Sequence, residues 1–330
     1  MAMSKRWKKY IDGYKQLNDT MKLNRKFKLL IKKVIPSPLG GAYHIGFCCK
    51  EHIKYGETSW YANVKWVDTS DFDSEGWFAD PFFLHVNNDT IELLAEQWYY
   101  QIGHGRLVKM IINRNTMKLE SIKVILQSKF HLSFPILIND EGKLYVYPEN
   151  SEKGELIIYE YNYEKDELIN PVTIMKKPLI DAQIVKIGNA FFLFAVEHVN
   201  GLWEETRCLG IYMANSLMGE YKLIQKIENP KNYERGAGWI IKGSKPNEII
   251  RPSQDCQLRY GTNVILNQMF WNGTSFSESE IARILPNEKQ KFGSVLHTYN
   301  EKDGLVVIDG YADYHPIMSR IYKKIRGIKQ

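Results

Sequence analysis

The stretch GWFADPFFLH places a carboxylate at the opening of a segment that is otherwise apolar. Asp80 and Pro81 come directly before Phe82, Phe83 and Leu84, a run that is typical of a buried strand. A carboxylate in such a position destabilises a fold unless hydrogen bonds, a cation or a ligand compensate its burial. Asp80 is therefore a candidate for chemistry, and acids in comparable positions elsewhere would make it part of a site.

Polar residues recur at comparable points of later strands, and the acids among them suggest general acid–base chemistry. Such chemistry uses one protonated carboxyl group to assist a leaving group and one ionised carboxylate as base. Acids crowded into a partly desolvated cavity acquire different pKa values, so one residue type can supply both roles. The candidate catalytic residues are Asp80, Glu149 and Asp181. The candidate substrate-binding residues are Trp77, Glu96, His131, Ser133, Arg251, Gln254, Asp255 and His297.

Several of these residues also have a structural interpretation. Asp80 can cap the start of its strand without taking part in chemistry. Arg251 can bind a phosphate through two hydrogen bonds, or it can simply hold Asp181 or Asp255 in place. Trp77 can pack in the core or at the rim of the fold. The functional interpretation therefore depends on whether the candidates converge in space.

The body of the chain alternates short β-rich segments with turns. Segments such as KLYVYPEN, AFFLFAVEH and GLVVIDGYA are separated by turn signals, among them Asn139-Asp140-Glu141-Gly142 and Lys302-Asp303-Gly304. No long helix is predicted between residues 70 and 315. The sequence therefore predicts an all-β fold for this part of the chain.

One plan, a polar opening followed by a strand, a turn and a second strand, recurs five times. The openings at Asp80, Ser133, Asp181, Gln254 and His297 lie 53, 48, 73 and 43 residues apart, about one four-stranded blade each, with an insertion before the fourth. This spacing predicts a five-bladed β-propeller, in which SWYANVKWVD supplies a strand that closes the ring. In a propeller the innermost strands start near the axis, so the openings would face one central funnel. A β-sandwich is the alternative, but it does not explain the recurring openings.

The two ends of the chain are basic. Residues 1–35 carry eleven Lys and Arg against two Asp, and residues 320–329 carry five basic residues and no acid, while the whole chain carries +6. We therefore divide the chain into a short basic helical N-terminal extension, residues 1–38, and a propeller, residues 39–330. Basic residues interleaved with apolar ones predict an amphipathic helix at an anionic membrane surface, and a solvated basic helix is the alternative. Nucleic acid is not a predicted partner, because the body is acidic and contains no recognition module.

Cysteine usage and hydropathy indicate the compartment. The four cysteines show no metal-type spacing, and no apolar run is long enough to cross a bilayer. The first residues lack the apolar region of a signal peptide. We therefore expect a cytoplasmic protein, peripheral at the inner face of the membrane, with no cofactor and no metal.

The sequences at the openings resemble a known group of proteins. The matching stretches are WFADPFFL, HLSFPILINDEGKLYVYPENSEKGELIIYEY, LIDAQIVKIGNAFFLF, RPSQDC and VLHTYN, within roughly residues 75 to 312. They resemble the five-bladed propellers of the family 43 and family 32 glycoside hydrolases. The resemblance is closer to the N-terminal propeller of plant glucosamine inositolphosphorylceramide transferases and to bacterial relatives in polysaccharide synthesis. It implies a five-bladed propeller that acts on carbohydrate.

The resemblance to the hydrolases also implies roles for individual residues. In that group an aspartate of the first blade is the base or nucleophile, an aspartate of the second tunes pKa values, and a glutamate of the third is the general acid. Asp80 matches the first position. The second opening, Ser133-Phe134-Pro135, carries no carboxylate, and the third carries Asp181 rather than a glutamate. The hydrolase set is therefore incomplete.

The function predicted from the sequence is glycan synthesis. We expect a carbohydrate-active propeller that acts in cell-surface polysaccharide or glycolipid synthesis and transfers a glycosyl group from an activated sugar with its funnel carboxylates. A family 43-like glycoside hydrolase or transglycosidase is the first alternative, and a non-catalytic glycan-binding module is the second. No nucleotide-sugar fold is recognisable in the sequence, so sugar transfer by this chain would have to take place in the funnel.

Overall fold

The computed structural model describes residues 40–197, 208–228, 234–257 and 260–314. The predicted helical extension, the basic segment 320–329 and the ends of the predicted propeller domain lie outside these residues. Two short 3₁₀ helices, Lys50–His52 and Ser59–Asn63, accompany the strands, and no helix in the described ranges is long and apolar enough to cross a membrane. In chain order the strands are β1 Gly41–Cys49, β2 Lys65–Trp66, β3 Gly76–Val86, β4 Thr90–Tyr99, β5 His104–Asn113, β6 Leu119–Leu126, β7 Ser133–Asp140, β8 Lys143–Glu149, β9 Leu156–Asn162, β10 Glu167–Met175, β11 Leu179–Ile187, β12 Ala190–Glu197, β13 Cys208–Ala214, β14 Lys222–Glu228, β15 Ile241–Lys242, β16 Glu248–Gln254, β17 Val264–Trp271, β18 Phe276–Ile284, β19 Tyr299–Lys302 and β20 Leu305–Asp313.

The strands form five four-stranded antiparallel sheets, which are the blades. Blade 1 is β3 to β6, blade 2 is β7 to β10, blade 3 is β11 to β14 and blade 4 is β15 to β18, each in sequence order. Blade 5 has the order β19-β20-β1-β2, so it joins the two ends of the described chain. The predicted five-bladed β-propeller is confirmed, and β2 lies in the segment expected to close the ring. The longer closing strand, β1, pairs with β20 along its whole length and was not predicted as a strand.

A bulge marks the opening of the innermost strand in the first three blades. In each of these blades the pairing between the first two strands shifts register at the same place. Asp80, Phe134 and Asp181 occupy the bulges, with φ values of 49°, 47° and 44°. Few residues other than glycine adopt this conformation, so its recurrence identifies three equivalent positions. Phe134, rather than the predicted Ser133, is therefore the second-blade counterpart of Asp80.

The innermost strand of blade 4 is β15, and the prediction that Gln254 opens this strand was wrong. Gln183 on β11 donates from Nε2 to the carbonyl oxygen of Gly238 at 2.7 Å. Tyr299 on β19 donates its backbone N–H to the carbonyl oxygen of Ala237 at 2.7 Å. The segment before β15 thus lies between the inner strands of blades 3 and 5. Gln254 ends β16, the second strand of its blade.

The core consists of apolar side chains between neighbouring blades. Trp239, just before β15 of blade 4, contacts blades 1 and 2. Its indole Nε1 donates to the carbonyl oxygen of Leu137 in blade 2 at 3.1 Å. Its ring packs against Phe82 of blade 1, with ring centroids 5.6 Å apart. The strand openings are therefore held in place by packing just below them.

Candidate functional site

Asp80 lies where blades 1, 2 and 5 meet. Its Oδ2 accepts a hydrogen bond from the backbone N–H of Phe134 at 3.0 Å, and its Oδ1 accepts one from the Thr298 hydroxyl at 2.8 Å. The backbone N–H of Asp80 donates to Oδ2 of Asp309 at 3.0 Å. The residue is only 6% exposed. Its carboxylate is therefore hydrogen-bonded by the protein itself, as the structural interpretation of the sequence required.

Asp309 on β20 is a site residue that the sequence analysis missed. It is fully buried, and its Oδ1 accepts from the backbone N–H groups of His297 (3.2 Å) and Thr298 (2.9 Å). Its Oδ2 lies 2.8 Å from Nδ1 of His297. The segment GLVVIDGYA did carry a signal, because an acid within an apolar strand is the same anomaly as Asp80.

The atoms of this group are close enough for a metal ion to be considered. Carboxylate oxygens of Asp80 and Asp309 and Nδ1 of His297 lie within 4.8 Å of one another. An Nδ1 that donates to a carboxylate has no lone pair left for a metal. We therefore interpret the group as a hydrogen-bonded cluster, and the expectation that no metal binds stays a prediction.

Asp181 of blade 3 is joined to blade 4. Its Oδ2 accepts from Nε of Arg235 at 2.7 Å and from Nε2 of Gln254 at 3.0 Å, and the residue is 3% exposed. The guanidinium of Arg235 lies over the ring of Tyr260, 4.6 Å from its centroid. The sequence analysis missed Arg235 because it placed the opening of blade 4 too late in the chain. An arginine just before the Gly-Ala-Gly-Trp segment was the available signal.

Glu96 and Glu149 occupy equivalent positions on the second strands of blades 1 and 2. Glu149 pairs with Ser133, whose hydroxyl lies 3.4 Å from Oε2, and the backbone N–H of Ser151 donates to Oε1 at 2.9 Å. Glu96 pairs with the residue before Asp80 and is 5% exposed. Its Oε1 has no hydrogen-bond partner in the described structure, and Nε2 of His131 is 3.8 Å away.

Burial and mutual repulsion raise the pKa values of these carboxyl groups. Burial raises the pKa of Asp80 to about 6, although the nearby His297 lowers it. Burial and, to a smaller extent, repulsion from Asp181 raise the pKa of Glu149 to about 7. Burial raises the pKa of Glu96 well above its usual range, with added repulsion from Asp80 and Glu149. The candidate catalytic residues are thus close enough to affect one another electrostatically, and with Glu96 and Asp309 they form what we call the central acidic cluster.

Aromatic rings flank the cluster in a continuous arc. The rings of Trp77 and Trp98 are stacked, with centroids 5.5 Å apart and an interplanar angle of 7°. The ring centroids of Trp98 and His131 are 5.9 Å apart, and those of Trp77 and Tyr43 are 5.3 Å apart. Tyr43 stacks on His297 with centroids 4.4 Å apart. We call these five side chains the aromatic arc. It contains three predicted substrate-binding residues, whereas Tyr43 and Trp98 were not among the predicted site residues.

Two predicted substrate-binding residues have structural partners instead. Arg251 is 1% exposed and lies near Glu278 of β18, with Nη2 3.4 Å from Oε1. Asp255 accepts from Nη1 of Arg283 at 3.0 Å. The role suggested for Arg251, holding the aspartate of blade 3, belongs to Arg235.

Comparison with known proteins identifies relatives among sugar transferases. The family model described as "Glucosamine inositolphosphorylceramide transferase 1, N-terminal" matches residues 63–296. Glucosamine inositolphosphorylceramide transferase 1 of Oryza sativa subsp. japonica is 30% identical over 194 residues, which cover 57% of this chain and 25% of that protein. The Arabidopsis thaliana protein of the same name is 28% identical over 201 residues, 58% of this chain and 25% of that protein. The match therefore spans about a quarter of the length of these relatives.

Solved structures with a similar chain path include carbohydrate-active enzymes. A B. subtilis levansucrase mutant has a TM-score of 0.48 at 14% identity, covering 74% of this chain and 82% of that one. The catalytic domain of a Coprinopsis cinerea alpha-L-arabinofuranosidase has a TM-score of 0.46 at 11% identity, covering 71% and 79%. At this level of similarity we draw no argument about function from them.

Proposed function

This chain belongs to the family described as glucosamine inositolphosphorylceramide transferase 1, N-terminal, and we propose that its propeller transfers sugar in cell-surface polysaccharide or glycolipid synthesis. The names of the relatives, which contain a sugar and a ceramide lipid, support a sugar and a lipid as the class of substrate. Because the match covers only part of those relatives, the assignment of transfer to the propeller rests on the central acidic cluster.

The observation that carries the proposal is the burial of two carboxyl groups of that cluster, Asp80 of blade 1 and Glu149 of blade 2. Burial raises the pKa of Asp80 to about 6 and that of Glu149 to about 7, which brings both pKa values close to neutral pH. Near neutral pH one group can thus accept a proton and the other can donate one.

The proposed reaction uses these two groups in one displacement at the sugar. Glu149 donates its proton to the leaving-group oxygen as the bond between that oxygen and the anomeric carbon breaks. Asp80 takes the proton of the acceptor hydroxyl as the acceptor oxygen forms its bond to the same carbon. Asp181 does not donate a proton in this scheme, because its Oδ2 accepts from Arg235 and Gln254. It raises the pKa of Glu149 instead.

The aromatic arc offers a surface for the sugar ring. The half-buried indoles of Trp77 and Trp98 provide an apolar face beside the acids, as is common in ligand sites that combine aromatic walls with a few polar groups. Glu96 and His131, at one end of the arc, are placed to hydrogen-bond sugar hydroxyls. This arrangement favours a carbohydrate over a flat or wholly apolar ligand.

A direct test is to incubate the full chain with membranes and a panel of labelled activated sugars. We expect label to appear in extractable lipid or polymer. The exposed Glu167→Gln variant should match the wild type, and the double variant Asp80→Asn/Glu149→Gln defines the background. Incorporation no greater than that background would contradict the proposal. Release of free sugar would indicate the hydrolase alternative.

A non-catalytic glycan-binding module is the second candidate, and one observation favours it. Both carboxylate oxygens of Asp80 accept hydrogen bonds from the protein, as expected of a structural cap. In the same assay this candidate predicts retention of labelled glycan without turnover, unchanged by Asp80→Asn.

We also propose that the basic segments 1–35 and 320–329 hold the protein at the cytoplasmic face of an anionic membrane. Eleven basic residues in the first segment support this, because each adjacent Lys or Arg contributes about 1 kcal/mol at such a surface. We expect co-sedimentation with vesicles containing phosphatidylserine, and release at high salt. Equal binding to vesicles of phosphatidylcholine alone would contradict the electrostatic basis.

A further inference from the structure

We propose that Asp309 is a positioning residue that holds Asp80 and His297 together as one unit of the site. The inference rests on the proposed function for the role that it gives Asp80. Asp309 itself makes no contact with substrate in this proposal. It acts through the two residues that it binds, one in blade 1 and one at the opening of blade 5.

Asp309 is a shared acceptor for both openings. One of its oxygens, Oδ2, receives the backbone N–H of Asp80 at 3.0 Å and lies 2.8 Å from Nδ1 of His297. The other, Oδ1, receives the backbone N–H groups of His297 and Thr298. A single buried carboxylate therefore fixes the bulged backbone of Asp80, at φ 49°, and the start of blade 5. Losing it would displace both openings together.

The same contacts determine which nitrogen of His297 faces a ligand. Because Nδ1 donates to Asp309, the opposite nitrogen, Nε2, is left for a ligand. The ring is held between Tyr43, at 4.4 Å, and the partly exposed Tyr260, at 5.3 Å. Its orientation is thus defined on three sides.

The charges around His297 favour its protonated form. Burial lowers its pKa, but Asp309, Asp80 and Asp181 together raise it above the ordinary value. Tyr43 and Tyr260 flank the ring and are neutral near pH 7. These carboxylate charges favour an imidazolium, whose Nδ1 lies 2.8 Å from Oδ2 of Asp309 and 3.7 Å from Oδ1 of Asp80 and whose Nε2–H would be a donor. A donor beside the proposed base suits a substrate hydroxyl or a developing negative charge.

The alternative is that Asp309 only satisfies buried N–H groups. The two interpretations differ in the state of the imidazole and in the reaction step affected. A purely structural role predicts lower stability without a specific change at His297. A positioning role predicts a change in His297 titration and in turnover, with substrate binding largely kept.

The experiment is an NMR titration of the full chain labelled with ¹⁵N-histidine, comparing wild type with Asp309→Asn. We expect the wild-type His297 to keep its proton to higher pH than an ordinary histidine, whose pKa is about 6.5, and to lose this difference in Asp309→Asn. Thr298→Val removes the hydroxyl that donates to Asp80 and lies 3.1 Å from Nδ1 of His297, but it keeps Asp309, so it should change the His297 titration less than Asp309→Asn does. The exposed Glu167→Gln variant is the matched control and should leave the His297 titration unchanged. In the transfer assay Asp309→Asn should lower kcat roughly 10- to 100-fold with a smaller change in KM.

Two results would overturn the inference. One is a wild-type His297 that titrates at or below the ordinary histidine pKa of about 6.5, a result that needs no variant to fold. The other is an Asp309→Asn protein whose His297 titration is unchanged. Neither depends on turnover, so a failure of the proposed function would be recognised separately, as absent transfer with an intact His297 titration.

Discussion

Sugar transfer by this propeller is expected to show a narrow bell-shaped pH profile. The acid limb comes from Asp80, which must be ionised to accept a proton, so activity falls as pH drops through about 6. The alkaline limb comes from Glu149, which must be protonated to donate, so activity falls as pH rises through about 7. The optimum therefore lies between these two values. The profile of kcat/KM against pH for the free enzyme measures both limbs.

Single substitutions assign the limbs to residues. Asp80→Asn and Glu149→Gln should each lower kcat/KM by about 10²- to 10⁴-fold, the usual contribution of a general base or acid. The residual activity of Asp80→Asn should lack the acid limb, and that of Glu149→Gln the alkaline limb. Glu167→Gln is the matched control and should keep the wild-type profile.

An alkaline limb that persists in Glu149→Gln would contradict the assignment of the acid. The same profile measured on Glu96→Gln then becomes decisive, because burial also raises the pKa of Glu96. Loss of the limb in that variant would move the general acid from blade 2 to the equivalent position of blade 1. Persistence in both variants would exclude an acid from either second strand.

The fold was predictable where its signals are local. A polar residue before an apolar run identifies a strand opening, and Asp80, Asp181 and His297 do lie at such openings. Their approximate spacing then gave the number of blades. The strand pairing that closes the ring was harder to predict, because β1 pairs with a strand that lies more than 250 residues away along the chain. No local pattern in GAYHIGFCC reports that partner.

The sequence allowed the acids of the site to be predicted, but not all of the residues that hold these acids in place. A one-residue bulge makes Phe134 rather than Ser133 the counterpart of Asp80, and a sequence does not show such a bulge. Arg235 escaped notice because the regular part of its inner strand is only two residues long. Asp309 accepts a hydrogen bond from the backbone N–H of Asp80, which lies 229 residues away in the chain. This contact forms only when blades 5 and 1 come together.

Removing the cation beside Asp181 is expected to have the largest effect on stability. Arg235→Met should lower the free energy of unfolding by about 3–5 kcal/mol, because the buried carboxylate of Asp181 loses its charged partner. The side chains of this pair are 10% and 3% exposed, so solvent screens their interaction little. Urea unfolding followed by circular dichroism measures the change. Lys118→Met, which removes one partner of the exposed pair with Asp71, is the control and should change stability much less.

The double variant Asp181→Asn/Arg235→Met separates the ion pair from packing. Because it leaves no buried carboxylate at this position, it should be less destabilised than the sum of the two single variants. Additive losses would instead assign the cost to packing of Arg235 on Tyr260.

The single variant Arg235→Met should also change the pH profile of transfer. Arg235 lowers the pKa of Glu149, so Arg235→Met should move the alkaline limb of the transfer profile to higher pH. A limb that stays in place, in a protein destabilised as expected, would mean that Glu149 is not the proton donor.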